Sequence, residues 1–506
     1  MIATIAVFAC YMAVLILVGA FCFRKTASLV GYFLGGRRLN AAVAALSAYA
    51  SDMSGWLILG FTGAIYAYGV GQIWIAAGLA LGTILNWIVV AKRLRRYTIT
   101  AGYSITMPEF FENRFRDSSR LLRFISAVFI IIFFTLYTAS GFVACGTLFS
   151  EVFGVDYQIA LLIGVFIILI YTFLGGFRAV CWTDLVQALL MLITIITVSV
   201  IVLYLAGGFR GIARNVDPGF FNILLDKPGK PLSPASIISG LAWGLGYFGM
   251  PHILTRFMAV KNERSILPAV IIAGLTTVIS LGCAALMGIA GSVFIPGLDD
   301  PESMFVKTVK EIFMDSGLLS MAIPGSIFLC SVLAAIMSTA DSQLLVTASA
   351  IANDIYRGFT RTEYSDRHFL TFSRVSVVVI SFIAYIIAID KNASIMTLVS
   401  VAWSGFGSCF GALVLFSLYW RRINIPGAAA GIISGGLAVI IWEYVICIPS
   451  GNEWATLSQA TGVYSLAPGF IISTIFIPVI SLITKEPPQT VIDIFEQAAS
   501  PPIFEE

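Results

Sequence analysis

Apolar residues in this chain run in nearly uninterrupted blocks of about 20, the length that carries a helix across a bilayer. Polar and charged residues gather in the short connections between blocks. The pattern predicts about 13 membrane-spanning helices, at 2–23, 41–66, 69–91, 124–149, 157–177, 184–206, 235–256, 266–290, 319–351, 371–389, 394–420, 426–447 and 465–484. Two blocks are broken. The second holds Ala-Ser-Asp-Met-Ser-Gly-Trp at 50–56, and an acid, hydroxyls and a glycine at bilayer depth are costly unless they line a cavity or bind something. The seventh reads Gly-Leu-Ala-Trp-Gly-Leu-Gly-Tyr-Phe-Gly-Met-Pro at 240–251. Its glycines and proline weaken the helix and free backbone carbonyls.

Composition agrees with the pattern. Of 506 residues, 59% are hydrophobic and 11% charged, with a mean hydropathy of +0.95; a soluble domain carries about 25% charged residues. The fold class is an all-α polytopic membrane protein of the cell (inner or plasma) membrane. The eight cysteines stand singly in apolar runs and read as buried small hydrophobes. The first block lacks a basic leader and reaches spanning length, so it reads as a retained helix. No Gly-x-x-x-x-Gly-Lys-Ser/Thr occurs, which argues against ATP as the energy source. The net charge of +3 gives no case for nucleic acid. No soluble signalling domain or obligatory protein partner is evident, and the tail after Lys485 offers only a short amphipathic helix near 491–497.

Charge placement sets the orientation. With the N-terminus outside, only Arg210, Arg214, Lys227, Lys230, Lys307, Lys310 and Lys391 of the 30 basic residues fall outside. The excess of Lys and Arg on cytoplasmic connections then puts the C-terminus inside.

Secondary transporters place their sites where helices of two inverted repeats break at corresponding points, and the two breaks here lie five spans apart. A broken helix offers N–H groups to an anion at one half and carbonyls to a cation at the other, which suits a zwitterion. Trp56, Trp243 and Tyr247 lie at the breaks and Tyr137 near the middle of span 4. Each aromatic alone fits packing; gathered, they can wall an apolar ring or stack on a cation. Span 9 contributes Ala335-Ile-Met-Ser338-Thr339-Ala-Asp341-Ser342. Hydroxyls there either bond back to a carbonyl one turn earlier or join carbonyls around a hard monovalent cation. Asp184, at the inner start of span 6, is either a helix cap or a waypoint for a cation leaving inward.

These motifs, with Gly-Gly-Phe-Arg-Ala-Val-Cys-Trp-Thr-Asp at 175–184 and Ala-Trp-Ser-Gly-Phe-Gly at 402–407, resemble the sodium:solute symporter family, and within it the members that carry proline. The resemblance implies a LeuT-type five-plus-five inverted repeat with broken helices at spans 2 and 7, and Na⁺-coupled symport of L-proline by alternating access. Na⁺ would be the co-transported ion, with no organic cofactor. It further implies backbone carbonyls of Ala50, Met53 and Ala335 and hydroxyls of Ser338 and Thr339 as Na⁺ ligands. Ser54, Gly55, Trp56, Tyr137, Trp243, Tyr247 and Pro251 would form or adjoin the substrate pocket. Asp52, Asp184 and Arg37 would serve coupling or the ion path. Asp341 departs from the pattern, which implies no acid there. The expected organisation is a peripheral first helix and loop (1–40), a first repeat (41–206), an extracellular loop (207–234), a second repeat (235–420), two added helices (421–484) and a cytoplasmic tail (485–506).

The nearest rival is a Na⁺- or H⁺-coupled symporter for another amino acid, a sugar or a carboxylate, with Asp52 or Asp341 as proton carrier. His252 and His368 both read as cytoplasmic, so no histidine relay is expected. A channel would show a repeated filter or charged ring, and a sensor an appended domain; neither pattern is present.

Overall fold

The computed structural model describes residues 2–23, 29–174, 176–226, 229–315, 318–360, 365–391, 393–450 and 453–500. Arg24, Lys25, Gly175, Lys227, Arg361 and residues 501–506, which enter the topological reading, lie outside these ranges. A helix stands at every expected crossing. Among the described residues nine helices are long and apolar enough to span a bilayer, and Ile2–Val18 and Tyr157–Phe173 are shorter apolar helices. Two further crossings are bent pairs: Ala41–Asp52 with Trp56–Tyr68, at 58°, and Pro234–Gly249 with Pro251–Ala259, at 47°. With each bent pair taken as one crossing, up to 11 spans are long and apolar enough to cross a bilayer among the described residues. The helices form because hydrocarbon offers backbone groups no other partner. Phe166, Ile193, Leu267 and Leu482 keep more than half their surface open on the outside of the bundle, the side lipid covers.

The bent pairs lie at the centre. Ala41–Asp52 packs on span 6 (Phe177–Leu205) and span 8 (Ile266–Phe294). The 3₁₀ segment Trp243–Gly249 packs on span 3 (Val70–Thr100) and span 11 (Ile395–Tyr419). Span 9 (Leu319–Arg357) leans on span 4 (Leu121–Phe153) and span 6. Outside this core, span 12 (Ile425–Val445) pairs with span 13 (Leu466–Ile483) against span 11. The tail helix Gln489–Ala499 lays Val491, Ile494 and Ala498 inward and packs Phe495 on Tyr97.

Two sequence expectations change. Asp184 does not cap span 6: the helix starts at Phe177 after Gly176, whose extended backbone (φ −146°, ψ 172°) forms the N-cap, and Asp184 lies two turns further in, fully buried. His252 is not in a cytoplasmic connection. It occupies the first turn after the second break, fully buried against the Phe134 ring at 5.6 Å, because span 7 resumes at Pro251 and runs on to Ala259.

Candidate functional site: two helix breaks facing a hydroxyl pair

Asn40 caps the first half of span 2, its side chain accepting from the Val43 N–H at 2.9 Å. The helix stops at Asp52, where Met53 leaves helical geometry (φ −78°, ψ 69°). It resumes at Trp56 in a wide π-type turn through Phe61. Gly55 permits the close approach at the break: a Cβ there would lie 3.0 Å from Ala144 of span 4 and 3.1 Å from Ile336 of span 9.

That approach brings span 9 against the freed carbonyls. Ser338 Oγ donates to Ala50 O at 2.7 Å and Thr339 Oγ1 lies 3.3 Å from the same oxygen. Both hydroxyls also reach Ala335 O, at 3.1 and 3.2 Å. Four oxygens from two spans thus share one buried point, and the back-bond to a carbonyl one turn earlier coexists with a second bond across to the first break. Met53 is fully buried beside them at the break. All the groups are hydroxyl or carbonyl, the donor chemistry of a hard cation. Among the described residues no three His, Cys, Asp or Glu side chains converge as a metal cluster.

The second break is held open by side chains on its carbonyls. Asn86 donates to Tyr247 O at 2.9 Å and the Trp403 indole to Trp243 O at 2.8 Å. In the membrane interior these replace lost helix bonds. Span 3 meets the segment backbone to backbone: a Cβ on Gly244 would lie 2.2 Å from Gly78 O, so both positions require glycine. Asp52 then joins the breaks. Its Oδ2 accepts from the Tyr247 hydroxyl at 2.5 Å and its carbonyl from the Trp56 indole at 2.9 Å. Trp56 and Trp243 stand 6.4 Å apart, and the buried Tyr137 hydroxyl faces Ser54 and Trp56 without completing a hydrogen bond. An enclosed cavity of about 10 Å³ beside Asp52 and Tyr247 has room for about one water.

The family model for sodium:solute symporters matches residues 32–435. The chain belongs to the sodium:solute symporter family. It is 42% identical over 486 residues to the osmoregulated proline transporter of Bacillus subtilis (strain 168), covering 94% of each chain. It is 41% identical over 496 residues to the sodium/proline symporter of Staphylococcus aureus (strain JH9), covering 96% of this chain and 93% of that one. Its fold matches a solved Na⁺-coupled sialic acid symporter with a TM-score of 0.78 at 18% identity, over 96% of this chain and 99% of the other. The fold is thus of the LeuT type, and the protein is a multi-pass membrane transporter rather than an enzyme.

Within this symporter three expected site residues stand apart from the breaks' common point. Pro251 opens the helix after the second break and lines a separate cavity of about 20 Å³ with Thr255, Ser349 and Asp354. Asp184 accepts from Ser47 at 2.6 Å and from Arg256 at 3.1 Å, while Arg256 also donates to Ser342 at 2.7 Å and to His252 O at 2.7 Å. This network ties spans 2, 6, 7 and 9. Arg37, with a left-handed backbone (φ 55°), donates to Thr98, Met258 O and Ser104 O. Burial, aided by the like charge of Arg95, lowers its guanidinium to about 10, which leaves it cationic at neutral pH.

The sequence reading missed Asn86, Arg256 and Trp403 as site-shaping residues. An amide inside an apolar run was the available signal for Asn86, and Trp403 stood within a quoted motif without a role. Arg256 counted only as a marker of the inner side. Tyr247→Phe tests the link between the breaks. Removing the hydroxyl leaves a buried carboxylate short of a donor, which costs about 1–3 kcal/mol. The variant is expected to lose affinity for solute by about tenfold or more in equilibrium binding, and an unchanged affinity would reduce the contact to packing.

Proposed function

We propose that this symporter carries L-proline, or a closely similar small solute, into the cell together with Na⁺ by alternating access. The observation that carries the reading is the oxygen cluster of Ala50 O, Ala335 O, Ser338 Oγ and Thr339 Oγ1 across the first break. Relatives at 41–42% identity over nearly the whole chain, named as proline transporters and a sodium/proline symporter, support the choice of solute and ion.

In this mechanism Na⁺ takes carbonyls of Ala50, Met53 and Ala335 with the hydroxyls of Ser338 and Thr339. It thereby favours the arrangement in which span 9 and the first break are joined. Solute binds between the breaks, against Ser54, Gly55, Trp56, Tyr137, Trp243 and Tyr247, with Pro251 shaping the following helix. Asp52 senses both events, since it adjoins Met53 of the ion site in sequence and accepts from Tyr247 of the pocket. Differential affinity of ion and solute for the two states drives closure. The inward membrane potential adds about 2.3 kcal/mol per charge per 100 mV. Released Na⁺ passes Asp184 on its way in, and Arg37 holds the inner end of span 2 in register with spans 3 and 7. The two repeats span 41–206 and 235–420, with the N-terminus outside and the C-terminus in the cytoplasm.

Proteoliposomes provide the test. Proline uptake is expected with an inward Na⁺ gradient and is expected to collapse when choline replaces Na⁺. Equal uptake driven by a pH gradient alone would replace Na⁺ by H⁺. Competition by other amino acids, sugars or carboxylates stronger than by proline itself would change the solute.

A further inference from the structure

The polypeptide between spans 12 and 13 lies outside the ten helices of the two proposed repeats, yet two of its residues, Tyr464 and Ser465, are fastened to them. The Trp442 indole donates to Val463 O at 3.0 Å. Tyr464 N–H donates to Ser239 Oγ of span 7 at 3.0 Å, and its hydroxyl donates to Ser400 O of span 11 at 2.7 Å. Ser465 Oγ donates to Ser404 Oγ at 2.9 Å. Tyr464 thus bridges the broken helix and span 11, and Ser465 adds a second tie to span 11. The Tyr464 ring is stacked on Trp243, with centroids 4.8 Å apart and planes 19° from parallel.

This stack lies at a boundary. Beside it is an open cavity of about 480 Å³, lined by Tyr68, Gln72, Asp226, Ser400 and Trp243 itself. Its walls come from the ends of spans 2, 3, 7 and 11 and from the connections between spans 2 and 3 and between spans 6 and 7, on the face poor in basic residues. On the other side Trp56 follows Trp243 at 6.4 Å, and behind it lie Ser54 and Asp52. Trp243 is only 5% exposed even though it lines the open cavity. To admit a solute from that cavity, the Trp243 indole must leave Tyr464 or the two must move together. Stacked aromatic pairs contribute beyond their buried area, so the partner of Trp243 sets how often the way opens.

We propose that Tyr464 is the stop of the outer gate: a positioning residue, supplied from outside the inverted repeats, that holds Trp243 closed over the binding cavity. The proposal rests on the reading of the breaks as the solute site. Span 7 then bears two opposed constraints on the same residue. Trp403 fixes the Trp243 backbone through its carbonyl, and Tyr464 fixes its ring. Movement of the ring on a fixed backbone opens the gate without unwinding the break.

The experiment reads access rather than transport. In a background with the native cysteines replaced, Ser54→Cys places a thiol behind the gate, and its reaction rate with a membrane-impermeant maleimide is measured from each face of sealed vesicles. Combined with Tyr464→Leu, which keeps apolar volume and removes the stack, the rate from the face poor in basic residues is expected to rise about tenfold. Tyr464→Phe keeps the ring, loses the tie to Ser400, and is expected to raise it about threefold. A purely structural role would lower yield or the unfolding midpoint while leaving the labelling rate unmoved. A rate in the leucine variant equal to that of the Tyr464 parent overturns the proposal; if that variant does not fold, the phenylalanine variant decides by the same criterion. Labelling needs no solute, so a failure of Na⁺-driven proline uptake in the same vesicles would revise the transported solute and leave the gate result standing.

Discussion

Replacing Ser338 and Thr339 together by alanine is expected to raise the Na⁺ concentration for half-maximal uptake by about a hundredfold, or to abolish Na⁺ dependence within the accessible range. Each hydroxyl is essentially sealed from solvent, at 0% and 3% exposure, so water cannot take its place. An oxygen that ligates Na⁺ through a lone pair is taken to be worth about as much as a hydrogen bond to a charged group, about 1.5–3 kcal/mol, and about 1.4 kcal/mol is a factor of ten in affinity. Losing one ligand oxygen therefore costs about tenfold, and losing two about a hundredfold if the effects add. The structure also predicts an asymmetry. Ser338 makes the shorter bond to Ala50 O, 2.7 Å against 3.3 Å for Thr339, so Ser338 contributes more to holding span 9 at the break. Na⁺ titrations of uptake in proteoliposomes, on each single variant and the double, measure this. A double variant with the Na⁺ dependence of the parent would move the cation site elsewhere.

Arg256→Ala is expected to be the most destabilising single change, by about 3–5 kcal/mol, the cost of removing one partner from a buried ion pair. Arg256 is 1% exposed and Asp184 0%, and their atoms lie 3.1 Å apart. Asp341, also fully buried, shares this interior, so two carboxylates face the guanidinium. Its hydrogen bonds to Ser342 and to His252 O would vanish with it, loosening spans 7 and 9 at the level of the proposed ion path. Thermal unfolding in detergent reads the loss. Arg256→Ala with Asp184→Asn is expected to recover part of it, because the second change removes one stranded charge. An alanine variant as stable as the parent would show that the pair is not closed in the protein.

The difference between what was legible and what was not is physical. The breaks at 50–56 and 240–251 were visible because bilayer interiors tolerate few polar groups, glycines or prolines without a reason. The Ser338–Thr339 pair was visible for the same cause. The position of Asp184 was not, because hydropathy marks where apolar residues end, while the helix itself starts at the capping geometry of Gly176. His252 fell near the inner end of span 7 and so read as cytoplasmic, because hydropathy reports a residue's place along a span and carries no information on its burial. Arg256 supplied a count toward orientation, but charge counting carries no information on the partner a charge meets.

Local chemistry along the chain, then, determined that the protein lies in a membrane as a helical bundle, where two of its helices break, and which oxygens are available there. Those are properties of single segments in a solvent that penalises each unpaired polar group separately. Only the tertiary structure decided that Ser338 reaches Ala50 across 288 positions of sequence, that Asp52 links both breaks through Tyr247, and that Tyr464 stacks on Trp243. These contacts depend on how closely helices approach, and that distance is set by glycines such as Gly55 and Gly244 meeting neighbours whose identity no single segment contains.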